Sequence, residues 1–252
     1  FAALGGMVGP AAVFLLFTHE TQEYQAGWAI ASATDIAFAL AVLMLAGKHL
    51  PPALKVLLLA LAIFDDLGAI LIIALFYSGA LHVASLMITL GIAVLMVALN
   101  MRHVTRLFPY LLLGAVLCWY LHEGGIHTTT GGVITGLLVP LRNPRAQSDS
   151  PLNRLMHFLH PWVSFLVLPL FALVSAGISL QHVHAESLAH PLVLAIIAGL
   201  VLGKQAGVFL GAWLAVKTRL AALPTAIGWR HIYAVSLLAG IGFTMSLFIG
   251  AL

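Results

Sequence analysis

The sequence predicts an all-α fold class: a polytopic membrane helix bundle with inverted-topology repeats and two interrupted, crossing helices. Its composition is the first indication, because 62% of the residues are hydrophobic and only 8% are charged, against about 25% charged in soluble domains. Apolar stretches recur along the whole chain, and a few ionisable residues interrupt them. A soluble globular enzyme is thereby excluded, and the single Cys118 excludes an internal disulfide.

Nine candidate spans follow from the apolar stretches and the polar segments between them. They lie near residues 1–17, 28–46, 53–77, 83–100, 107–121, 126–140, 159–180, 191–215 and 230–252. Lys and Arg occur in every second loop, for example Lys217 and Arg219 after the eighth span, and these loops hold ten of the eleven basic residues. Since basic loops face the cytoplasm, the alternation indicates that each stretch crosses the membrane once.

The order of the spans predicts one membrane transporter domain over residues 1–252, built from two repeats. Repeat A covers about 1–77 and a partial repeat B covers about 191–252; each starts with a span that is followed by a broken span. Because the two repeats start on opposite sides of the membrane, they would be related by inversion. The chain begins and ends within apolar runs, so we expect it to be a fragment of a longer protein.

Four ionisable residues lie inside the predicted spans. Asp65 and Asp66 fall at the centre of the third span, Asp35 lies in the second, and Lys204 lies in the middle of the eighth. Each carboxylate at the bilayer centre costs about 2.5–3.5 kcal/mol on insertion scales, so a helix that only had to span would not carry them. The alternative is a structural ion-pair cluster, but buried ion pairs stabilise poorly and three acids exceed one Lys. The excess negative charge favours a bound cation or protons.

The Asp pair predicts two different roles. Adjacent residues of a helix point about 100° apart, so one carboxylate could coordinate a hard cation together with backbone or hydroxyl oxygens while the other pairs with Lys204. A bound cation opposes protonation of the same carboxylates, so the cation and protons compete for one site. That competition suffices in principle for antiport, and the cluster titrates as one coupled unit.

Two spans contain polar or glycine-rich interruptions, at Ser32–Asp35 and at Gly240–Ser246. Irregular backbone at membrane depth persists only where it lines a cavity or packs against protein, so half-helix ends would point at the midplane. Asp35 can neutralise such N-terminal ends, with Thr34 as a hydroxyl ligand. Around Lys204 a glycine recurs at every fourth position from 199 to 211, which predicts close helix packing.

Nearly all of the twelve histidines lie at span ends or in loops. His157 and His160 stand three residues apart near the predicted cytoplasmic start of the seventh span and could sense pH near neutrality. His127, at the start of the sixth span, is a similar candidate. Ordinary interfacial histidines are the alternative, and a transition-metal site would need further ligands that the sequence does not place.

Four stretches together resemble the bacterial NhaA-type sodium/proton antiporters. They are Ala33–Leu40, Ala60–Ile70, Leu202–Lys204 and Gly240–Ser246, and the similarity covers essentially the whole chain. The resemblance implies electrogenic uptake of protons in exchange for Na⁺ or Li⁺ leaving the cytoplasm, by alternating access and with activation as the cytoplasm turns alkaline. It further implies a multi-pass protein of the bacterial inner membrane that contacts membrane lipid, is a homodimer at full length, and needs neither a cofactor nor nucleic acid.

The same resemblance implies roles for individual residues. Asp66 would be the principal Na⁺ ligand, while Asp65 would take part in cation and proton binding and would pair with Lys204. Two positions depart from the family pattern: Met156 stands where a Glu is common, and Gln205 stands where a Pro often follows the Lys. The residues implied to support the crossing of the two interrupted helices are Asp35, Thr34, Gly240, Gly242 and Thr244.

Three other functions are alternatives at this point. A cation-coupled symporter of a small organic substrate would need a larger midplane cavity with more side-chain donors than the spans offer. An intramembrane aspartyl protease needs two Asp residues on separate helices that face each other, whereas Asp65 and Asp66 are adjacent. A multi-haem membrane cytochrome would need paired histidines within spans. The residues therefore favour a secondary transporter over an enzyme.

Overall fold

The computed structural model describes residues 1–19, 21, 24, 26–46, 51–76, 82–141, 150–176, 190–223 and 227–250. Within these ranges the regular structure is helical and contains no strand, which confirms the predicted all-α class. The chain divides into two compact units, Phe1–Ala69 with Ser175–Leu252, and Ile70–Val174. All four ionisable residues predicted inside the spans belong to the first unit.

The described helices follow the order of the predicted spans. They are α1 (Ala2–Thr18), a 3₁₀ helix (Ala26–Ser32), α2 (Ile36–Ala46), α3 (Pro52–Phe76), α4 (Val83–Met101), α5 (Leu107–Glu123), α6 (Thr128–Leu138), α7 (Pro151–Trp162), a π-helical segment (Val163–Val167), α8 (Leu168–Ala176), α9 (Pro191–Ala198), a second π-helical segment (Gly199–Lys204), α10 (Gln205–Lys217), α11 (Trp229–Ala239) and α12 (Phe243–Gly250). The chain runs on without leaving the helical path from α7 to α8 and from α9 to α10.

Five segments of the described chain have both the length and the apolar composition to cross a membrane: Gly27–Leu45, Pro52–Ala74, Val83–Met101, Pro151–Phe171 and Pro191–Lys217. Helix α6 has 11 residues, about 16 Å at 1.5 Å per residue, and does not cross a hydrocarbon core of about 30 Å by itself. The chain is a polytopic membrane protein, whereas the nine-span count, the single domain and the inverted repeats stay predictions.

Two predicted spans begin or wind differently in the structure. The seventh starts at Pro151 rather than near residue 159, because Ser150 caps the helix: its Oγ accepts a hydrogen bond from the Asn153 backbone N at 3.1 Å. The first half of the second span is a 3₁₀ helix, in which the Ser32 hydroxyl donates to the Ala29 carbonyl oxygen at 2.7 Å. The three residues before α2 are not helical, so the predicted interruption is present.

Helix α1 packs at backbone contact distance against the second π-helical segment and α10. A Cβ atom added to Gly207 would lie 2.0 Å from the Gly5 carbonyl oxygen, and one added to Gly203 would lie 2.6 Å from the Pro10 Cα atom. The glycine spacing thus serves close packing, as the sequence predicts. This contact also brings the segment that carries Lys204 against α1.

We expect Gly207→Ala to lower the free energy of unfolding by about 1–3 kcal/mol, because the new Cβ atom would overlap α1 backbone that yields only if the helix shifts. Gly91→Ala in α4 is the matched control: no atom lies within 4 Å of an added Cβ there, and Ala is the better helix former. Equilibrium unfolding in mixed detergent measures both variants. Equal stability of the two would contradict the close packing.

A buried apolar cluster joins α2, α3, α10 and α11 in the first unit. Leu61 lies one turn before Asp65 on α3, and Ala239 is the last residue of α11 before the second interruption. The cluster therefore holds the charged part of α3 against the broken helices. Its members are Ala39, Leu43, Leu54, Leu58, Leu61, Val208, Val235 and Ala239.

The second unit has its own buried cluster, drawn from α4, α5, the end of α6 and α7. Asn100 at the end of α4 donates from its Nδ2 to the Leu138 carbonyl oxygen at 2.8 Å, which joins the ends of α4 and α6. The second unit thus packs around an apolar centre of its own. The cluster members are Met96, Tyr110, Leu117, Leu121, Val139 and Leu155.

Candidate functional site

Asp65 and Lys204 form a buried ion pair between α3 and the second π-helical segment. The Lys204 Nζ lies 2.5 Å from Asp65 Oδ2, and both side chains are 0% exposed. The Lys204 ammonium also donates to the carbonyl oxygen of Ser32, at the end of the 3₁₀ helix. Removing an ion from water costs several kcal/mol, and the hydrogen bonds to these two oxygen atoms offset that cost for the Lys204 ammonium.

The Thr34 hydroxyl contacts the same carboxylate oxygen. Its Oγ1 lies 2.6 Å from Asp65 Oδ2 and 2.8 Å from the carbonyl oxygen of Ala239. A hydroxyl has one hydrogen to donate, so Thr34 can donate a full hydrogen bond to only one of these two acceptors at a time. The side chain therefore links the state of Asp65 to the end of α11.

Two carboxylate oxygens of the Asp pair have no hydrogen-bond partner among the described residues. They are Oδ1 of Asp65 and Oδ1 of Asp66, and both atoms are buried. Buried polar atoms are nearly always hydrogen-bonded, so two adjacent exceptions on carboxylates indicate a place for a cation or for protons. Gly6 on α1 faces them closely: an added Cβ atom would lie 2.8 Å from Val208 Cγ2 and 3.6 Å from Asp65 Oδ1, so a larger residue would crowd the site.

Hydrogen bonds tie the interruption before α2 to the interruption before α12. The Asp35 backbone N donates to the Ile241 carbonyl oxygen at 2.7 Å, and the Ser246 hydroxyl donates to the Ile30 carbonyl oxygen at 2.9 Å. Asp35 Oδ1 accepts from the Phe38 backbone N at 3.0 Å, so this carboxylate caps the positive end of α2. The two interrupted helices thus contact each other beside Asp65.

Gly240 and Gly242 lie where the second interruption leaves no room for a side chain. A Cβ atom on Gly240 would lie 2.8 Å from the Leu200 carbonyl oxygen, and one on Gly242 would lie 2.2 Å from Ser246 Oγ. Their contribution is therefore close approach of the backbone. The side chain of Thr244 lies outside the described part of the structure, and its implied role stays a prediction.

Lys204 ends a π-helical segment that the sequence did not predict. The segment Gly199–Lys204 has the wider π-helical winding, and such segments are frequent at functional sites. A Cβ atom added to Gly199 would lie 2.7 Å from Ala31 Cβ, so the segment also packs directly on the 3₁₀ helix. This packing holds Lys204 within reach of both of its oxygen partners.

The histidine candidates lie in the second unit. His127 is the N-cap of α6, where its Nδ1 accepts a long hydrogen bond of 3.5 Å from the Thr129 backbone N. His157 and His160 are exposed on α7. Among the described residues no group of three or more His, Cys, Asp or Glu side chains could hold a metal ion. The proposed pH-sensing role of these histidines stays a prediction.

Sequence reasoning missed three contributions to the site: the close approach of Gly6, the Ser32 carbonyl oxygen and the Ser246 hydroxyl. The adjacent glycines at positions 5 and 6 could have signalled a close approach, and Ser246 is a hydroxyl within a broken span. A backbone carbonyl such as that of Ser32 leaves no side-chain signal, so only the structure could identify it.

We expect Thr34→Val to lower the free energy of unfolding by about 1–3 kcal/mol, because Asp65 Oδ2 and the Ala239 carbonyl oxygen lose a buried donor. Thr34→Ser keeps the hydroxyl and is the matched control, with a smaller loss. Unfolding in mixed detergent compares the two variants with the parent. A Val variant as stable as the parent would show that the hydroxyl is not bonded.

Known proteins are similar to this chain over its whole length. The sequence model of one protein family, described as Na⁺/H⁺ antiporter 1, matches residues 1–252. The chain is 53% identical over 251 residues to the Na⁺/H⁺ antiporter NhaA of Shewanella frigidimarina, and 51% identical over 251 residues to that of Pseudomonas putida strain GB-1. These matches cover 100% of this chain and 63% and 64% of the relatives. The chain therefore spans slightly less than two thirds of the length of these relatives.

Proposed function

This chain belongs to the Na⁺/H⁺ antiporter 1 family, and we propose that it exchanges Na⁺ for protons across a membrane as a secondary transporter. Asp66 and Asp65 bind the transported Na⁺ or, in its place, protons, and Lys204 pairs with Asp65 when no cation is bound. The transported ion is the substrate, and the site needs no resident cofactor.

One observation carries this proposal: each residue of the Asp pair keeps a buried carboxylate oxygen without a hydrogen-bond partner. A purely structural ion pair would satisfy its carboxylate oxygens with donors, because an unsatisfied charged group in the membrane interior is costly. Here the Lys204 ammonium and the Thr34 hydroxyl both donate hydrogen bonds to Asp65 Oδ2. The free Oδ1 atoms are suited to a small hard cation, whose preferred ligands are oxygens.

Competition between the two substrates supplies the coupling. Na⁺ attracts the ionised carboxylates, and a bound proton removes the charge that attracts Na⁺. Since at most one of the two occupies an oxygen at a time, each orientation of the site exchanges one ion for the other. Three carboxylates and one ammonium offer more proton positions than cation positions, so a cycle that moves unequal charge, and is therefore electrogenic, is compatible with the cluster.

The two interrupted helices give alternating access a physical basis. Their breaks are held together by single hydrogen bonds, such as that from Ser246 Oγ to the Ile30 carbonyl oxygen, rather than by continuous helix. Such discontinuous segments can shift around a midplane site. We assign Li⁺ as a second substrate because it is also a hard monovalent cation that prefers oxygen ligands. We further propose that the protein lies in the bacterial inner membrane, with its basic loops in the cytoplasm, and that the full-length protein is a homodimer.

Ion exchange in liposomes tests the proposal. The chain, and a version extended to the length of its relatives, are reconstituted with a trapped pH dye, and Na⁺, Li⁺, K⁺ or choline chloride is added outside at pH 6.5–9. We expect Na⁺ and Li⁺ to drive proton movement and choline to drive none. If neither version moves protons in response to Na⁺ at any of these pH values, although both are folded, the antiport proposal fails.

A further inference from the structure

An apolar groove runs along α3 from one end of the first unit. It starts in a cavity of about 600 Å³ where α3 and α11 begin and α10 ends, and all the residues that line this cavity have hydrocarbon side chains, among them Ala53, Ala212 and Ile232. A second cavity of about 490 Å³ shares part of this lining and continues along α1 and α3 as far as Phe64. We call the two together the α3 groove.

The length of the α3 groove matches one leaflet of a bilayer. Ala53 and Phe64 are eleven residues apart on α3, which corresponds to about 16 Å at 1.5 Å per residue. Half of a bilayer's hydrocarbon core is about 15 Å. The groove thus starts near the membrane surface, at the beginning of α3, and ends near the midplane, one residue before Asp65.

Four basic residues lie within two sequence positions of residues that line the outer cavity, and we call them the basic rim: Lys55, Lys217, Arg219 and Arg230. The last three are exposed, and residues 36–64 and 187–252 contain no Asp or Glu that could pair with any of them. The Lys217 Nζ lies 4.3 Å from the centre of the Trp213 ring, and Trp beside Lys is typical of the lipid headgroup level. The rim is therefore positive at the depth of lipid phosphates.

We propose that the α3 groove binds one acyl chain of an anionic phospholipid, whose headgroup phosphate contacts the basic rim. The groove provides hydrocarbon contact over the length of one leaflet. The positive rim attracts an anionic headgroup more strongly than a zwitterionic one. Because the groove ends beside Asp65, the bound chain packs against the turn of α3 that carries the ion site. This inference concerns lipid recognition and does not depend on the exchange of Na⁺ for protons.

Native mass spectrometry of the purified chain tests the proposal with two lipids of identical acyl chains, phosphatidylglycerol and phosphatidylcholine. We expect phosphatidylglycerol to bind in preference, and Lys217→Gln with Arg219→Gln to weaken its binding roughly 30-fold, as two surface charges predict. Arg102→Gln with Arg106→Gln removes the same charge from the second unit and is the matched control. Ala212→Leu fills the groove and should lower the binding of both lipids, whereas Ala206→Leu, at an exposed position of the same helix, should not.

Several results would overturn the proposal. Equal binding of the two lipids would remove the role of the rim, and unchanged binding by a folded Ala212→Leu variant would remove the groove. If instead the chain dimerises and Ala212→Leu abolishes the dimer, or if the version extended to the relatives' length excludes the lipid, the groove is occupied by protein. The rim variants alter exposed side chains, so they decide the question even if Ala212→Leu does not fold.

Discussion

Asp66→Asn is expected to abolish Na⁺-driven proton movement. Asn has nearly the same shape as Asp, but its amide carries no negative charge to attract Na⁺ and does not bind or release a proton in this pH range. Loss of one charged partner in a buried site costs about 3–5 kcal/mol, which corresponds to a rise in the apparent Kd for Na⁺ of at least roughly 100-fold. Proteoliposomes with a trapped pH dye measure the exchange rate against Na⁺ concentration.

The matched control for this substitution is Glu123→Gln. Glu123 is an exposed carboxylate whose Oε1 accepts a hydrogen bond from Trp119 Nε1 at 3.2 Å, so the change removes the same charge far along the chain from the Asp pair. Exchange by this variant should equal that of the parent. If Asp66→Asn retained parental exchange at low Na⁺ concentration, the cation would have to bind elsewhere.

Lys204→Met is expected to destabilise the protein by about 3–5 kcal/mol at neutral to alkaline pH, because it leaves the buried Asp65 carboxylate without its ammonium partner. At lower pH the carboxylate can take up a proton and lose its charge, so the deficit should shrink as the pH falls. Unfolding in mixed detergent at several pH values measures this dependence. Lys217→Met, which removes an exposed Lys and its contact with the Trp213 ring from the continuation of the same helix, should change stability by no more than about 1 kcal/mol.

The double variant Asp65→Asn with Lys204→Met distinguishes the effect of the two charges on stability from the effect of side-chain packing. Removing both charges leaves no uncompensated ion in the interior, so stability should recover most of the loss of Lys204→Met. Its stability should also vary little with pH. A double variant that is as unstable as Lys204→Met alone would indicate that Lys204 matters through its packing instead of its charge.

The sequence predicts the helical architecture and the identity of the charged residues for a clear physical reason. An ionisable residue in an apolar span is energetically costly, so Asp65, Asp66 and Lys204 can be recognised as functional candidates from the sequence. Polar or glycine-rich interruptions identify the two broken helices in the same way. The close packing of α1 on α10 could likewise be inferred, because the glycines at 203 and 207 recur with helical spacing.

Other parts of the site depend on backbone conformation and on which distant segments pack together. The Ser32 carbonyl oxygen reaches Lys204 because the 3₁₀ helix ends there, and α1 approaches Asp65 closely because Gly6 faces it without a side chain. The π-helical segment Gly199–Lys204 contains two glycines, which weaken any helix, but nothing in its composition specifies π-helical rather than α-helical winding. Among these features only the close approach at Gly6 leaves a signal in the sequence, in the adjacent glycines at positions 5 and 6.

Proton release on Na⁺ binding tests the central claim most directly, because it needs neither a membrane nor a complete transport cycle. The purified chain is held in weakly buffered detergent solution with a pH dye at a series of pH values from 6.5 to 9, and NaCl is added against choline chloride. We expect saturable release of protons that is absent in Asp66→Asn, and an apparent Kd for Na⁺ that rises about tenfold per unit fall in pH for each proton displaced. Saturable Na⁺ binding without proton release, and with an affinity independent of pH, would contradict competition at the Asp pair.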